Sequence, residues 1–167
     1  MSNLPPLNQS WVGYPARLPL RILQFGAGNF MRAFFDWMVD ILNEEADFNA
    51  GVIVVKPTAN GDYEALRAQD GLFHVLSRGL QDGKRLEQPR LVSCVQQIIH
   101  PYQNWEAFLA TAEIQSLNII TSNTTEAGIQ FEETDRFDDA PPSSFPAKLT
   151  CWLYRRFRHF EGQEERG

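Results

Sequence analysis

Hydrophobic positions in this chain fall into short, dense runs separated by longer amphipathic stretches. Leu20-Arg21-Ile22-Leu23-Gln24-Phe25 and Gly51-Val52-Ile53-Val54-Val55-Lys56 are such runs, rich in branched side chains, and they predict strands buried on both faces, as in a parallel sheet. Between them, from Phe30 to Leu42, the polar residues Arg32, Asp36 and Asp40 recur every fourth position on an otherwise apolar segment. That spacing predicts an uninterrupted helix with one narrow solvent stripe, a helix that needs cover on more than one side. A neighbouring helix would supply it, or a partner domain lying over Phe34, Phe35 or Trp37. The first unit is therefore strand–helix–strand, joined by a right-handed crossover.

Further along, Leu72–Arg78 and Arg90–Val95 read as strands, with an Asp-Gly turn signal in Gln81-Asp82-Gly83-Lys84 between them. They predict a hairpin inserted into the alternating pattern. Asn104 is placed to cap a helix running through Trp105, Phe108 and Leu109 to Ile114, followed by a strand at Leu117–Thr121. A last helix runs from Pro146 through Trp152, Leu153 and Phe157 into the polar end Glu161–Gly167, where a further strand of the sheet is expected but no residues remain.

The junction between the first strand and its helix carries the chemistry. Gly26 suits a tight reversal, and Gly28 has no side chain to block a diphosphate lying at the positive N-terminal end of the helix. Met31 stands where the usual pattern has a third glycine, so the strand–turn–helix setting has to support the motif. Arg32, in the first helical turn, is placed either to contact phosphate or to pair with Asp36. The acidic residue that usually holds the ribose at the end of the second strand is absent: that end reads Lys56-Pro57-Thr58-Ala59-Asn60. Asp47 is at the wrong end of the strand, and Asp62 serves only if its loop folds back. Lys56 would tolerate a 2′-phosphate or simply end the strand in water, which leaves NAD against NADP open. The loop Ser122–Ile129, after the next parallel strand, is rich in short hydrogen-bonding side chains and faces the ligand crevice, although a polar loop of Asx and Ser/Thr turns has the same composition.

Composition narrows the class. With 167 residues, 43% hydrophobic and 22% charged, the chain suits a globular domain, and a net charge of −6 argues against nucleic acid. The one basic cluster, Arg155-Arg156-Phe157-Arg158-His159, suits the C-terminal turn of a helix. Cys94 and Cys151 are too few for a disulfide scaffold, which implies reduced thiols and a cytoplasmic setting. No signal peptide or membrane-spanning run is apparent. His74 reads as a half-buried strand residue and His100 as a loop residue; with His159 they show no metal-ligand spacing, so no metal is expected.

FGAGNFMRAF, VIVVKPTANGDYEALRAQDGLFHVLSRG, HPYQNWEAF and TSNTTEAG, in this order, resemble the N-terminal domain of the mannitol dehydrogenase family of long-chain polyol dehydrogenases. The resemblance covers roughly residues 21–160. It implies an α/β, Rossmann-like doubly wound fold with a mainly parallel sheet and the inserted hairpin. The expected organisation is an N-terminal extension over 1–20 and an NAD(P)-binding domain over 21–167, incomplete at its C-terminus. The family's activity is a reversible hydride transfer between NAD(H) and, in the subgroup these motifs match, a sugar acid. Gly26, Ala27, Gly28, Asn29 and Phe30 would hold the dinucleotide, with Arg32 and Lys56 beside it and Asn123, Thr125 and Glu126 towards the nicotinamide. The family's catalytic lysine belongs to a second, mostly helical domain, and Lys56, Lys84 and Lys148 stand in the wrong context for it, so no catalytic residue is expected within these 167. Two classes of function follow: the nucleotide-binding part of a polyol or sugar-acid oxidoreductase, or a non-catalytic dinucleotide-binding module.

Overall fold

The structure, a computed structural model, describes residues 7–12, 17–161 and 163. Near the start of the described residues lies the single turn α1 (Gln9–Val12), fastened by the Gln9 N–H to the Asp70 carboxylate at 2.9 Å. The strand β1 (Leu20–Phe25) leads into a π-helical segment (Met31–Asp36) that continues directly as α2 (Trp37–Glu45), and β2 (Gly51–Val55) and the short α3 (Glu64–Ala68) follow. Next come the hairpin strands β3 (Phe73–Gln81) and β4 (Lys84–Val92), then β5 (Val95–Ile99), α4 (Trp105–Ala110), β6 (Ile119–Ser122) and α5 (Phe145–His159).

Four strands form one parallel sheet in the order β5-β2-β1-β6, and β3 and β4 form a separate antiparallel pair. The hairpin turns at Asp82 and Gly83, both at positive φ, as a two-residue turn between twisted strands requires. Alternation along the strands divides the core between the two faces of the sheet. Ile22, Val52 and Val54 pack with Val39, Leu66, Phe73 and Val92 on one face. On the other, Leu23, Phe25, Ile53 and Val55 pack with Phe108, Leu117 and Trp152. Asn104 caps α4 by accepting the Ala107 N–H, and Ser144 caps α5 by accepting that of Ala147. Arg156, Arg158 and His159 occupy the last turn of α5, where positive charge complements the helix dipole. Both cysteines are buried and free. Among the described residues no helix is long and apolar enough to cross a membrane.

Four expectations are corrected. The stretch Arg90–Val95 is two strands: β4 ends at Val92, Ser93 turns to Asp40, and Val95 opens β5, which pairs with β2. His74 is exposed on the outer side of β3, and His100, although a loop residue, is buried. The first helix is not regular, because its opening turns are π-helical. Its polar stripe does not face solvent either. Asp36 is completely buried and Asp40 nearly so, while Phe30 and Phe34 stack outside at a centroid distance of 5.1 Å. The inward orientation follows from the partners inside. Asp40 accepts the Ser93 N–H at 2.8 Å and its hydroxyl at 2.9 Å, and pairs with Arg90 of the hairpin at 3.1 Å. Phe35 and Trp37 are partly buried against the core, which leaves Phe34 as the exposed aromatic of the three.

Candidate functional site

Strand register builds the site. Phe25 pairs with Val55 on one side and Ser122 on the other, and Val55 pairs with Ile99, so the carboxyl ends of all four strands are level. The residues that follow, Gly26, Lys56, His100 and Asn123, therefore stand in a row along one edge of the sheet. This is the edge at which an open parallel sheet binds its ligands. A cleft of about 440 Å³ opens here, lined by Gly26, Thr58, Asn123, Thr125, Ser143 and Ser144 among others.

Gly26 turns the chain at φ +97°, in the left-handed region that favours glycine, and its N–H donates to Val55 O at 2.9 Å. A Cβ on Gly26 would lie 3.4 Å from Asn123 Oδ1, so the two loops meet here. Ala27 is buried, and its N–H donates to the Tyr63 hydroxyl at 3.0 Å. At Gly28 a Cβ would meet nothing within 4 Å, so the backbone is bared to open space just where the helix begins. The N–H groups of the first turn, from Gly28 onward, have no intrahelical acceptor and carry the positive end of the helix dipole. This cradle fits a dinucleotide diphosphate: a side chain at position 28 would fill the space the phosphates need.

The remaining candidates are placed less uniformly. Asn29 is exposed, and its Oδ1 accepts from Arg32 Nη2 at 2.9 Å. Phe30 is 59% exposed at the mouth of the turn. Arg32 also lies over the Phe73 ring at 5.9 Å, and its charge acts on buried Asp36 to lower that carboxyl's pKa. Asn123 and Thr125 line the cleft, whereas Glu126 begins an exposed 3₁₀ turn (Glu126–Ile129). Lys56 does not end its strand in water. It is buried, and its ammonium donates to Thr58 O, Thr58 Oγ1 and Asn60 O at 3.2, 2.5 and 2.6 Å. Burial lowers its pKa from the ordinary lysine value, against the attraction of Asp62. Asp62 itself caps the next turn by accepting the Glu64 N–H.

Several shaping residues escaped the sequence reading. Tyr63 supports Ala27 from below, and burial raises its pKa. Ser143 and Ser144 form the far rim. Asp135 holds them by accepting both N–H groups and the Ser143 hydroxyl, and buried Lys148 donates to Ser143 O at 2.7 Å from α5. Burial lowers the Lys148 pKa to about 8. None of these residues lies near the glycine turn in sequence, and Asp135, Ser143, Ser144 and Lys148 fall outside the four motifs that carry the family resemblance.

A glycine turn opening a helix, at the level carboxyl edge of a sheet ordered β5-β2-β1-β6, defines a Rossmann domain of the dinucleotide-binding type. The family profile of the mannitol dehydrogenase Rossmann domain matches residues 20–167, and the chain belongs to the mannitol dehydrogenase family. It is 48% identical over 153 residues to altronate oxidoreductase of Klebsiella pneumoniae, covering 91% of this chain and 32% of that protein. Altronate oxidoreductase of Yersinia pestis is 46% identical over 156 residues, covering 92% and 32%. The chain thus spans about a third of the length of the relatives it matches. In fold it is similar to Pseudomonas fluorescens mannitol 2-dehydrogenase, solved as a ternary complex with NAD and D-mannitol. That match has a TM-score of 0.68 at 17% identity, over 84% of this chain and 31% of the other. A substrate-free D-sorbitol dehydrogenase gives a TM-score of 0.66 at 22% identity, over 90% and 36%.

Proposed function

We propose that this chain is the NAD(H)-binding domain of a cytoplasmic oxidoreductase that interconverts tagaturonate and altronate in hexuronate breakdown. The observation that carries the dinucleotide reading is the bared backbone at Gly28, set between the tight turn at Gly26 and the N-terminus of a long helix. Residues 26–30 hold the diphosphate, with Arg32 adding positive charge nearby, and Asn123, Thr125 and Glu126 lie towards the nicotinamide. Bound NADH supplies the hydride; the chain's own part is to bind and orient it. The domain occupies residues 21–167, after an extension over 1–20. Substrate ligands and the proton donor belong to a second, helical domain. The sugar-acid substrate rests on the similarity to altronate oxidoreductases.

NAD is preferred to NADP because of Lys56. An ammonium has three hydrogens to donate, and here Thr58 and Asn60 supply three acceptors, which leaves none for a 2′-phosphate. Titration of the 167-residue chain is expected to show NADH binding at least about tenfold tighter than NADPH, an affinity difference of ~1.4 kcal/mol. A preference for NADPH would contradict this role of Lys56. In the enzyme that carries this domain, tagaturonate should drive NADH oxidation faster than fructuronate or fructose does; the reverse order would point to another member of the family.

A further inference from the structure

The face of β1 opposite Leu23 and Phe25 carries a polar side chain in the middle of the sheet. Gln24 is fully buried, and its amide nitrogen donates to Gly26 O at 3.0 Å and towards Asp36 Oδ2 at 3.4 Å. Asp36, the last residue of the π-helical segment, is equally buried. Gln24 Oε1 and Asp36 Oδ1 find no hydrogen-bond partner among the described residues. A buried carboxyl thus sits two hydrogen bonds from the carbonyl of the glycine that makes the dinucleotide turn.

We propose that Asp36 is a positioning residue for that turn: its carboxylate fixes the Gln24 amide, the amide fixes the Gly26 carbonyl, and the shape of the turn follows the charge on Asp36. Applied to cofactor affinity, this rests on the dinucleotide reading above. An ionised carboxylate can only accept, so it holds Gln24 with both amide hydrogens directed to Asp36 and Gly26. A protonated carboxyl becomes a donor, and the unpartnered acceptor beside it is the oxygen of the same amide. Loss of the charge also weakens the bond from Nε2, so the amide holds Gly26 O less firmly.

The surroundings place the switch near neutrality. Burial raises the Asp36 pKa to about 7, the Gln24 hydrogen bond and the Arg32 charge oppose the rise, and Asp40 adds to it. From the β4–β5 connection Cys94 Sγ donates to Asp36 O at 3.3 Å, and burial keeps that thiol well above its ordinary range. Arg90 of β4 faces this side of the helix through its ion pair with Asp40. Tyr63, on the other side of the turn, is pushed up by burial and remains neutral. Asp36 is therefore the carboxyl of this cluster that burial moves to near neutrality.

The test is an NMR pH titration of the ligand-free chain, paired with NADH titrations at pH 6 and pH 8. The amide signals of Gly26 and Ala27 should follow the Asp36 carboxyl signal with one shared midpoint. NADH should bind about fivefold more weakly at pH 6 than at pH 8, the worth of one hydrogen bond of ~1 kcal/mol. Asp36→Asn has no proton to gain and, like the protonated carboxyl, presents both a donor and an acceptor, so it should flatten both profiles and hold NADH at the affinity the unmodified chain shows at pH 6. Gln24→Leu cuts the link and leaves the carboxyl: Asp36 should still titrate and the turn amides should no longer follow. Turn amides that ignore the Asp36 titration, or an unchanged profile in folded Asp36→Asn, would overturn the proposal. Amides that follow Asp36 in a chain that binds no NADH at any pH would support the positioning role and overturn the dinucleotide reading instead.

Discussion

Phe34 and Asp36 stand two residues apart on one helix, yet the phenylalanine is half exposed and the carboxyl is sealed inside. On the inner face Asp40 meets Ser93 and Arg90, and Asp36 meets Gln24; on the outer face Phe30 and Phe34 stack on each other and stay at least half exposed. Burial therefore follows what waits on the other side and not the hydrophobicity of the side chain alone. The inner face is itself uneven. Asp40 receives two hydrogen bonds from Ser93 and an ion pair, whereas Asp36 keeps one oxygen without a partner, and desolvation raises its pKa to about 7.

The largest expected effect comes from removing the less well partnered charge. The folded pKa of Asp36 lies above its ordinary value, so folding favours the protonated form. The cost of ionising it inside is absent below about pH 4, grows as pH rises towards 7, and is constant above that. Asp36→Asn should therefore raise the unfolding free energy at pH 8 by about 2 kcal/mol and make little difference at pH 4. Urea unfolding at the two pH values checks this, and a gain confined to pH 4 would reverse the sign of the argument.

On the outer face the effect on folding should be small. Phe34→Ser should change stability by no more than about 0.5 kcal/mol, because the ring is half exposed. It should visibly reduce apolar dye binding and light scattering at high protein concentration, since exposed aromatic patches promote association. Destabilisation by several kcal/mol would mean that the outer face is packed as tightly as the inner one.

The contrast also marks where sequence ceases to be informative. β1 and β2 were legible because branched apolar runs fit a strand covered on both faces, and the hairpin because Asp-Gly supplies two positive-φ positions at its tip. β5 was not, since Val95-Gln96-Gln97-Ile98-Ile99 is half polar and its first residue runs on from β4 with only Ser93 and Cys94 between. The polar stripe of the helix was visible, but its direction depended on Ser93 and Arg90, some fifty residues away in the chain. At the carboxyl edge of the sheet, the turn at Gly26 and Gly28 was legible from local chemistry, whereas Asn123 was marked out only by the family resemblance. The contacts that shape the cleft around them, Tyr63 under Ala27, Lys56 inside its own loop and Asp135 behind Ser143, are products of the fold.

The role of the bared backbone at Gly28 is tested most directly by calorimetric titration of NADH into the unmodified chain and into Gly28→Val. No neighbour lies within 4 Å of a Cβ at this position, so the variant should fold with stability changed by less than about 1 kcal/mol. Its NADH affinity should fall more than about tenfold, because the new side chain occupies the diphosphate space. A folded Gly28→Val protein that binds NADH as tightly as the unmodified chain would contradict the assignment of this turn as the dinucleotide site.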